Sequence, residues 1–150
     1  MEFQTLLESR RSVRSYDASK TVTREQIKEI VEAGILAPSW KNSQTARYYC
    51  VIDEAAKEKF AKECLPEFNI NSSKGAGAYV ITTFVANRSG FDREGNPDNE
   101  CGNGWGYYDL GLHNENVILK AKELGLDTLV MGIRDGEKIR EMLDLSLIHI

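Results

Sequence analysis

Arg10 to Arg14 read R-R-S-V-R, directly after a segment in which Phe3, Leu6 and Leu7 fall at helical spacing. Three guanidinium groups and a hydroxyl within five residues, at the end of an apolar helix, can grip a phosphate bidentately. One cation is left to reach further along the ligand. The plainer reading is a solvated basic run. The polar theme recurs at P-S-W-K-N-S-Q, which begins with Pro38. There Ser39, Asn42 and Gln44 present donors and acceptors beside the ring of Trp40, a set able to read the edge of a flat heterocycle or simply to satisfy loop backbone. Asn71 and Lys74 stand three residues apart and project to one side if that stretch is helical, where the lysine could stabilise a delocalised anion or remain an ordinary exposed cation. In V-M-G-I at 130–133, Gly132 sits where a predicted strand ends. The amides around Met131 and Gly132 could then approach a ligand closely, or Gly132 could be a plain turn glycine.

These groups need a scaffold, and 150 residues suit a single domain, 1–150, that buries about two thirds of its unfolded surface. A composition of 41% hydrophobic and 28% charged residues argues against disorder and fibrous repeats. The formal charge of -4 argues against nucleic-acid binding, since a phosphate backbone requires a net basic face. The expected anion is therefore small. Cys50, Cys64 and Cys101 are odd in number and lack metal-site spacing, and His113 and His149 lie far apart. With no signal-like amino terminus and no apolar run long enough for a bilayer, the chain reads as reduced, soluble, unprocessed and cytoplasmic, without a structural zinc or a membrane partner.

Thr23 and Gln26 form a capping box, and Ile27, Ile30, Val31 and Gly34 recur on one helical face until Ala37 and Pro38 stop it. Tyr48 to Ile52 is β-branched and aromatic, a strand; Asp53 caps a following helix with Ala56, Phe60 and Cys64 inward. Asn69 to Gly77 reads as a loop or a frayed helix. Ala78 to Ala86 is a mostly apolar run, expected as a central strand buried on both faces. Arg88 to Gly104, rich in Gly, Asp and Asn, reads as a long mobile loop that covers a site. Tyr107 to Leu124 is the longest predicted helix, with Leu110, Val117, Ala121 and Leu124 as its apolar stripe and Gly125 as its stop. Asp127 to Gly132 is expected as a strand, and Asp135 as the cap of a last helix through Ile139, Met142 and Leu143. His113 and the set Trp105, Tyr107 and Tyr108 read as packing residues, and Cys101 as an exposed loop thiol. The element order points to an α+β or three-layer α/β sandwich.

R-R-S-V-R, P-S-W-K-N-S-Q, N-x-x-K at Asn71 and L-G-L-D-T-L-V-M-G from Leu124, in this order and spacing, resemble the FMN-dependent nitroreductase family over nearly the whole chain to about Leu145. The resemblance implies an α+β, nitroreductase-like three-layer α/β/α sandwich with a central mixed, largely antiparallel sheet. It implies FMN as cofactor, NADH or NADPH as reductant, and a homodimer with flavin at the interface. Within the cofactor-binding set it assigns the phosphate to Arg10 and Ser12, beside Arg11, and the pyrimidine edge of the isoalloxazine to Arg14, Asn71 and Lys74. Ser39, Asn42 and Gln44, following Pro38, would come from the second subunit, and the amides near Met131 and Gly132 would lie by the reactive ring nitrogen. No protein acid, base or nucleophile is then required. The implied activity is ping-pong electron transfer from NAD(P)H to nitroaromatics, quinones or similar small acceptors.

Two departures stand out. Thr45-Ala46-Arg47 replaces the Pro-aromatic pair of many relatives, and Ser146 to Ile150 does not look like the family's continuation, so a truncated chain with a weakened phosphate site and dimer is expected. The competing readings are a non-catalytic flavin-binding or dimerisation module and a related flavin-dependent dehydrogenase or dehalogenase. An apolar-pocket protein without flavin would leave the three arginines unexplained.

Overall fold

Strands β1 (Ala46–Val51) and β2 (Tyr79–Val85) pair antiparallel, with Tyr48 opposite Thr82 and Tyr49 opposite Ile81. Successive side chains of a strand point to opposite faces, so this register sorts the two strands into two sets. Tyr48 joins Ile30, Val117 and Ala121 on one face, whereas Tyr49, Val51, Tyr79 and Ile81 join Phe60, Cys64 and Ile139 on the other. The first face is covered by α2 (Arg24–Ile35) and α5 (Gly104–Glu123), the second by α3 (Glu54–Cys64) and α6 (Gly136–Leu143). The result is a three-layer α/β/α arrangement of the α+β class. The short helix α1 (Phe3–Ser9) rests on α5 through buried Leu6, and α4 (Glu67–Ser72) follows α3. The computed structural model describes residues 2–145 and the backbone of 148–149, where a two-residue strand, β3 (Ile148–His149), pairs with Phe84 and Val85. The rest of the atypical 146–150 segment lies outside the described residues.

Local chemistry explains the helix boundaries. The Thr23 hydroxyl accepts from the Gln26 N–H at 3.2 Å and the Gln26 side chain returns the bond to Thr23 N–H at 3.0 Å, completing the capping box. Asp53 and Asp135 accept from the first-turn amides of α3 and α6. Gly125, at φ +77°, ends α5 in the left-handed conformation that a Cβ disfavours.

Five expectations need correction. Asp127 to Gly132 is not a strand: the segment is extended but makes a single parallel bridge, Thr128 to Ser12, since the sheet order β1-β2-β3 offers it no adjacent strand among the described residues. Strand β1 starts at Ala46, where pairing with Phe84 begins. Ala56 is exposed and Lys57 lies inward instead, its stem buried and its ammonium bonded to Glu54 at 2.7 Å and to the Ala76 carbonyl at 3.0 Å. The 88–104 segment is folded into turns closed by the Phe91–Pro97 bridge and by bonds from Asn103 to Asn87 and from Trp105 to Asn99. Its glycine-rich composition conceals this internal bonding, and α5 begins three residues earlier than Tyr107.

Helix α5 approaches the sheet where Gly106 faces the ring of Phe84, which is 1% exposed, and a Cβ at 106 would collide with that ring. Gly111, in the same helix, faces open space. Gly106→Ala should therefore lower stability by about 1–2 kcal/mol, overpacking outweighing the gain in helix propensity. Gly111→Ala should raise it by about 0.5–1 kcal/mol. Urea midpoints that shift in the same direction for both variants would refute this packing.

Candidate cofactor site

The bridge from Ser12 to Thr128, reinforced by the Val13 N–H donating to the Thr128 carbonyl at 3.1 Å, lays the arginine segment alongside 127–133. Asn69, 6% exposed on α4, donates from Nδ2 to the Ile133 carbonyl at 2.8 Å and fixes the other end of that segment. Between them lies a groove of about 250 Å³ lined by Arg14, by Phe68, Asn69 and Ser72 of α4, and by 129–133. It brings together Arg14, Met131 and Gly132. Among the described residues nothing occupies the space that a Gly132 Cβ would take, so the missing side chain leaves backbone open to a ligand. A second notch, about 290 Å³ between α3 and α6, sets Lys59 and Lys138 against Glu63 and Glu141, which leaves no net attraction for an anion.

Arg10 is half-buried at the C-cap of α1, Arg11 folds onto the Arg10 carbonyl at 2.7 Å, and Arg14 reaches the Ser12 carbonyl at 3.4 Å. Among the described residues none of the three pairs with a carboxylate, although the chain as a whole is acidic. They stand at the carbonyl end of a helix, which favours cations, so any anion held here is held by guanidinium groups and not by the helix dipole. Ser12 is exposed. Asn71 and Lys74 are exposed at and just beyond the end of α4 and do not line the groove; their neighbours Asn69 and Ser72 do.

The 38–44 loop belongs to a different neighbourhood. Pro38, Asn42 and Gln44 are exposed, Ser39 is half-buried, and a 3-10 turn spans Trp40–Asn42. Lys41, Asn42 and Gln44 all sit at positive φ, 47°, 53° and 49°, which costs about 1 kcal/mol or more each for residues with a Cβ. Several contacts hold the turn. Ser39 Oγ accepts from Gln44 N–H at 3.0 Å, Lys41 pairs with Asp98 at 2.8 Å, and the Trp40 ring lies 4.4 Å from that of Trp105. Buried Asp109 accepts from Trp40 N–H at 3.0 Å and from the Ser89 hydroxyl. Within one chain these contacts tie the loop to α5 and the 88–104 segment, not to Arg14.

The model of the nitroreductase family matches residues 7–149. The chain belongs to the nitroreductase family. It is 35% identical over 84 residues to the Bacillus subtilis protein named "Putative NAD(P)H nitroreductase YdgI", a stretch covering 56% of this chain but only 39% of that protein. Among solved structures it resembles a gut-bacterial enone reductase, CLA-ER, with a TM-score of 0.83 at 19% identity over 97% of this chain and 81% of that one. It also resembles a nitroreductase-like protein from Exiguobacterium sibiricum solved in complex with FMN, with a TM-score of 0.77 at 22% identity over 97% of this chain and 81% of that one. These structural likenesses establish the nitroreductase fold.

Against that fold, Asp109, Ser89 and Asn69 are the residues that sequence reasoning passed over. All three are buried polar side chains, a type that must find partners in a folded chain. Asp109, among the apolar positions of α5, was the readable signal. One turn further along, His113 is buried with both ring nitrogens unbonded, and burial presses its pKa down against a smaller upward pull from Asp109. Tyr48, on the sheet face beneath α5, has its phenol pushed up to about 12 by burial.

The folded pKa of His113 lies below the ordinary 6.5, so the unfolded chain binds that proton more readily. The stability contribution is complete above the unfolded value and is lost as pH falls below it. His113→Gln should flatten the decline of the denaturant midpoint between about pH 7 and about pH 5. An unchanged slope would show that His113 is not the titrating group.

Proposed function

We propose that the chain binds FMN and works as an NAD(P)H-dependent oxidoreductase that passes electrons to nitroaromatics, quinones or similar small acceptors. One observation carries the reading: an arginine that pairs with no carboxylate among the described residues shares a groove with open backbone at Gly132. The FMN complex of the Exiguobacterium relative and the NAD(P)H in the name of the Bacillus relative support the choice of cofactor and reductant.

Bound FMN supplies hydride acceptance from the nicotinamide and onward electron transfer. The chain's own residues bind and polarise. Arg10 and Ser12, with Arg11 beside them, hold the phosphate. Arg14 places positive charge where negative charge collects on reduction, an electrostatic service that water performs less well than a fixed cation; Lys74 as a second cation and Asn71 as a neutral amide, both outside the groove that Arg14 lines, would have to reach the same edge from the end of α4. The backbone at Met131 and Gly132 presents amides without side-chain bulk. Reductant and acceptor alternate over the same face, in a ping-pong order.

The groove is smaller than the roughly 300–1,000 Å³ of whole-ligand sites, which supports completion of the site by a second copy through Ser39, Asn42 and Gln44. The homodimer, the single-domain organisation over 1–150 and the cytoplasmic location belong to the proposal.

The purified protein should show flavin bands that bleach when NADH or NADPH is added under nitrogen. A yellow protein that neither reductant bleaches would instead be a flavin-binding module. Arg10→Ala should weaken FMN retention about ten- to a hundredfold, the loss of one charge-assisted contact. Arg14→Ala should slow reduction more than it weakens retention, and equal effects on both measurements would refute this division of roles.

A further inference from the structure

The strained 39–44 loop is not held by its own sequence alone. Of the contacts that fix it, the Lys41–Asp98 pair is solvent-exposed on the lysine side and the Ser39–Gln44 bond is internal to the loop. Asp109 differs from both. It is 3% exposed, it sits on a long helix, and both of its donors converge on one oxygen, Oδ2. One donor is the Trp40 N–H that opens the 3-10 turn, and the other is the hydroxyl of Ser89, 1% exposed, near the start of the 88–104 segment. A buried carboxylate gives bonds that are stronger and more directional than neutral ones, and it tolerates poorly any state in which a donor is withdrawn.

We propose that Asp109 is a positioning residue: its buried carboxylate clamps the 39–44 loop and the 88–104 segment to α5, holding Ser39, Asn42 and Gln44 in the conformation that the flavin of a second copy requires. This rests on the flavin reading above. Asp109 touches no cofactor itself; it acts through Trp40 and Ser89.

The chain has two tryptophans, Trp40 and Trp105, and their stacking reports directly on the clamp without any flavin. Coupled indole transitions give an exciton couplet in circular dichroism that disappears when the rings separate. Asp109→Ala should weaken that couplet while the protein still unfolds cooperatively, and it should raise the Kd for FMN about tenfold or more. Asp109→Asn keeps one side-chain oxygen able to take both donors, so it should recover the couplet and most of the affinity. A carboxylate that only added global stability would lower the unfolding midpoint and leave couplet and Kd unchanged; that result overturns the proposal, as does Asp109→Asn behaving like Asp109→Ala.

If Asp109→Ala does not fold, hydrogen exchange at the Trp40 amide in the wild-type protein decides. Protection comparable to that of α5 amides is expected, and exchange at the unprotected rate refutes the clamp. A wild-type protein that takes up no FMN would defeat the flavin reading alone, because the couplet and the exchange rate are measured without it.

Discussion

Every position in this structure that bears on the site is referred to the pairing of β1 with β2. The strand period is two, so a slip of one residue would carry Tyr48 from the α2–α5 side to the α3–α6 side, and Tyr49 the other way. Both faces are covered by helices, and neither would accept the exchange. With the register fixed, α5 is fixed by its contact at Phe84, and the segment that leaves its end must run beside Ser12. The α3–α4 connection on the opposite layer brings Asn69 to Ile133. The groove thus lies where the 127–133 segment, leaving α5, meets the arginine segment on one side and α4 on the other. Its shape is a consequence of the register and not a property of any one loop.

A second consequence concerns backbone strain. Three residues of the 38–44 loop stand in the left-handed region without being glycine. A free loop would relax them, since each carries a cost comparable to a whole hydrogen bond. What prevents relaxation is a set of contacts from distant parts of the chain: a carboxylate 69 residues away for Trp40 and an ion pair 57 residues away for Lys41. Strain of this kind persists only where surrounding structure over-determines the conformation, and it gathers at binding loops because it holds side chains where a ligand needs them.

Those separations also mark the boundary of what the sequence disclosed. The capping box at Thr23 and Gln26, the aspartate caps at 53 and 135, and the central apolar strand were legible because each depends on neighbours within one turn or one strand length. Ala56 was placed inward where Lys57 belongs, because a periodic pattern counts the lysine's charge and not its four-carbon stem. The extended 127–133 segment carries β-branched and apolar residues and reads as a strand, but a strand needs a partner, and partner geometry is a property of the fold. In the site, residue types and order were legible; which of them share a groove was not. Arg14 and Gly132 meet only through a bridge between residues 12 and 128, while Asn71 and Lys74, readable as a pair, lie outside that groove.

The weight that falls on Arg14 depends on what covers it. A guanidinium about 4 Å from a negative charge contributes about 1 kcal/mol in bulk water and about 4 kcal/mol at the effective dielectric of a partly enclosed protein site. In the isolated chain Arg14 is exposed, and the groove is lined on its far side by apolar groups, Phe68, Leu129 and Ile133 among them. Phe68 and Ile133 are themselves 54% and 65% exposed, and Val130 is 75% exposed. Covering this surface with a planar ligand removes apolar area from water and lowers the dielectric around the cation at the same time. The two effects are coupled: the apolar rim favours closure, and closure makes the charge effective. An arginine that pairs with no carboxylate among the described residues has little influence on an anion in open water, and it gains that influence when water is excluded from the groove.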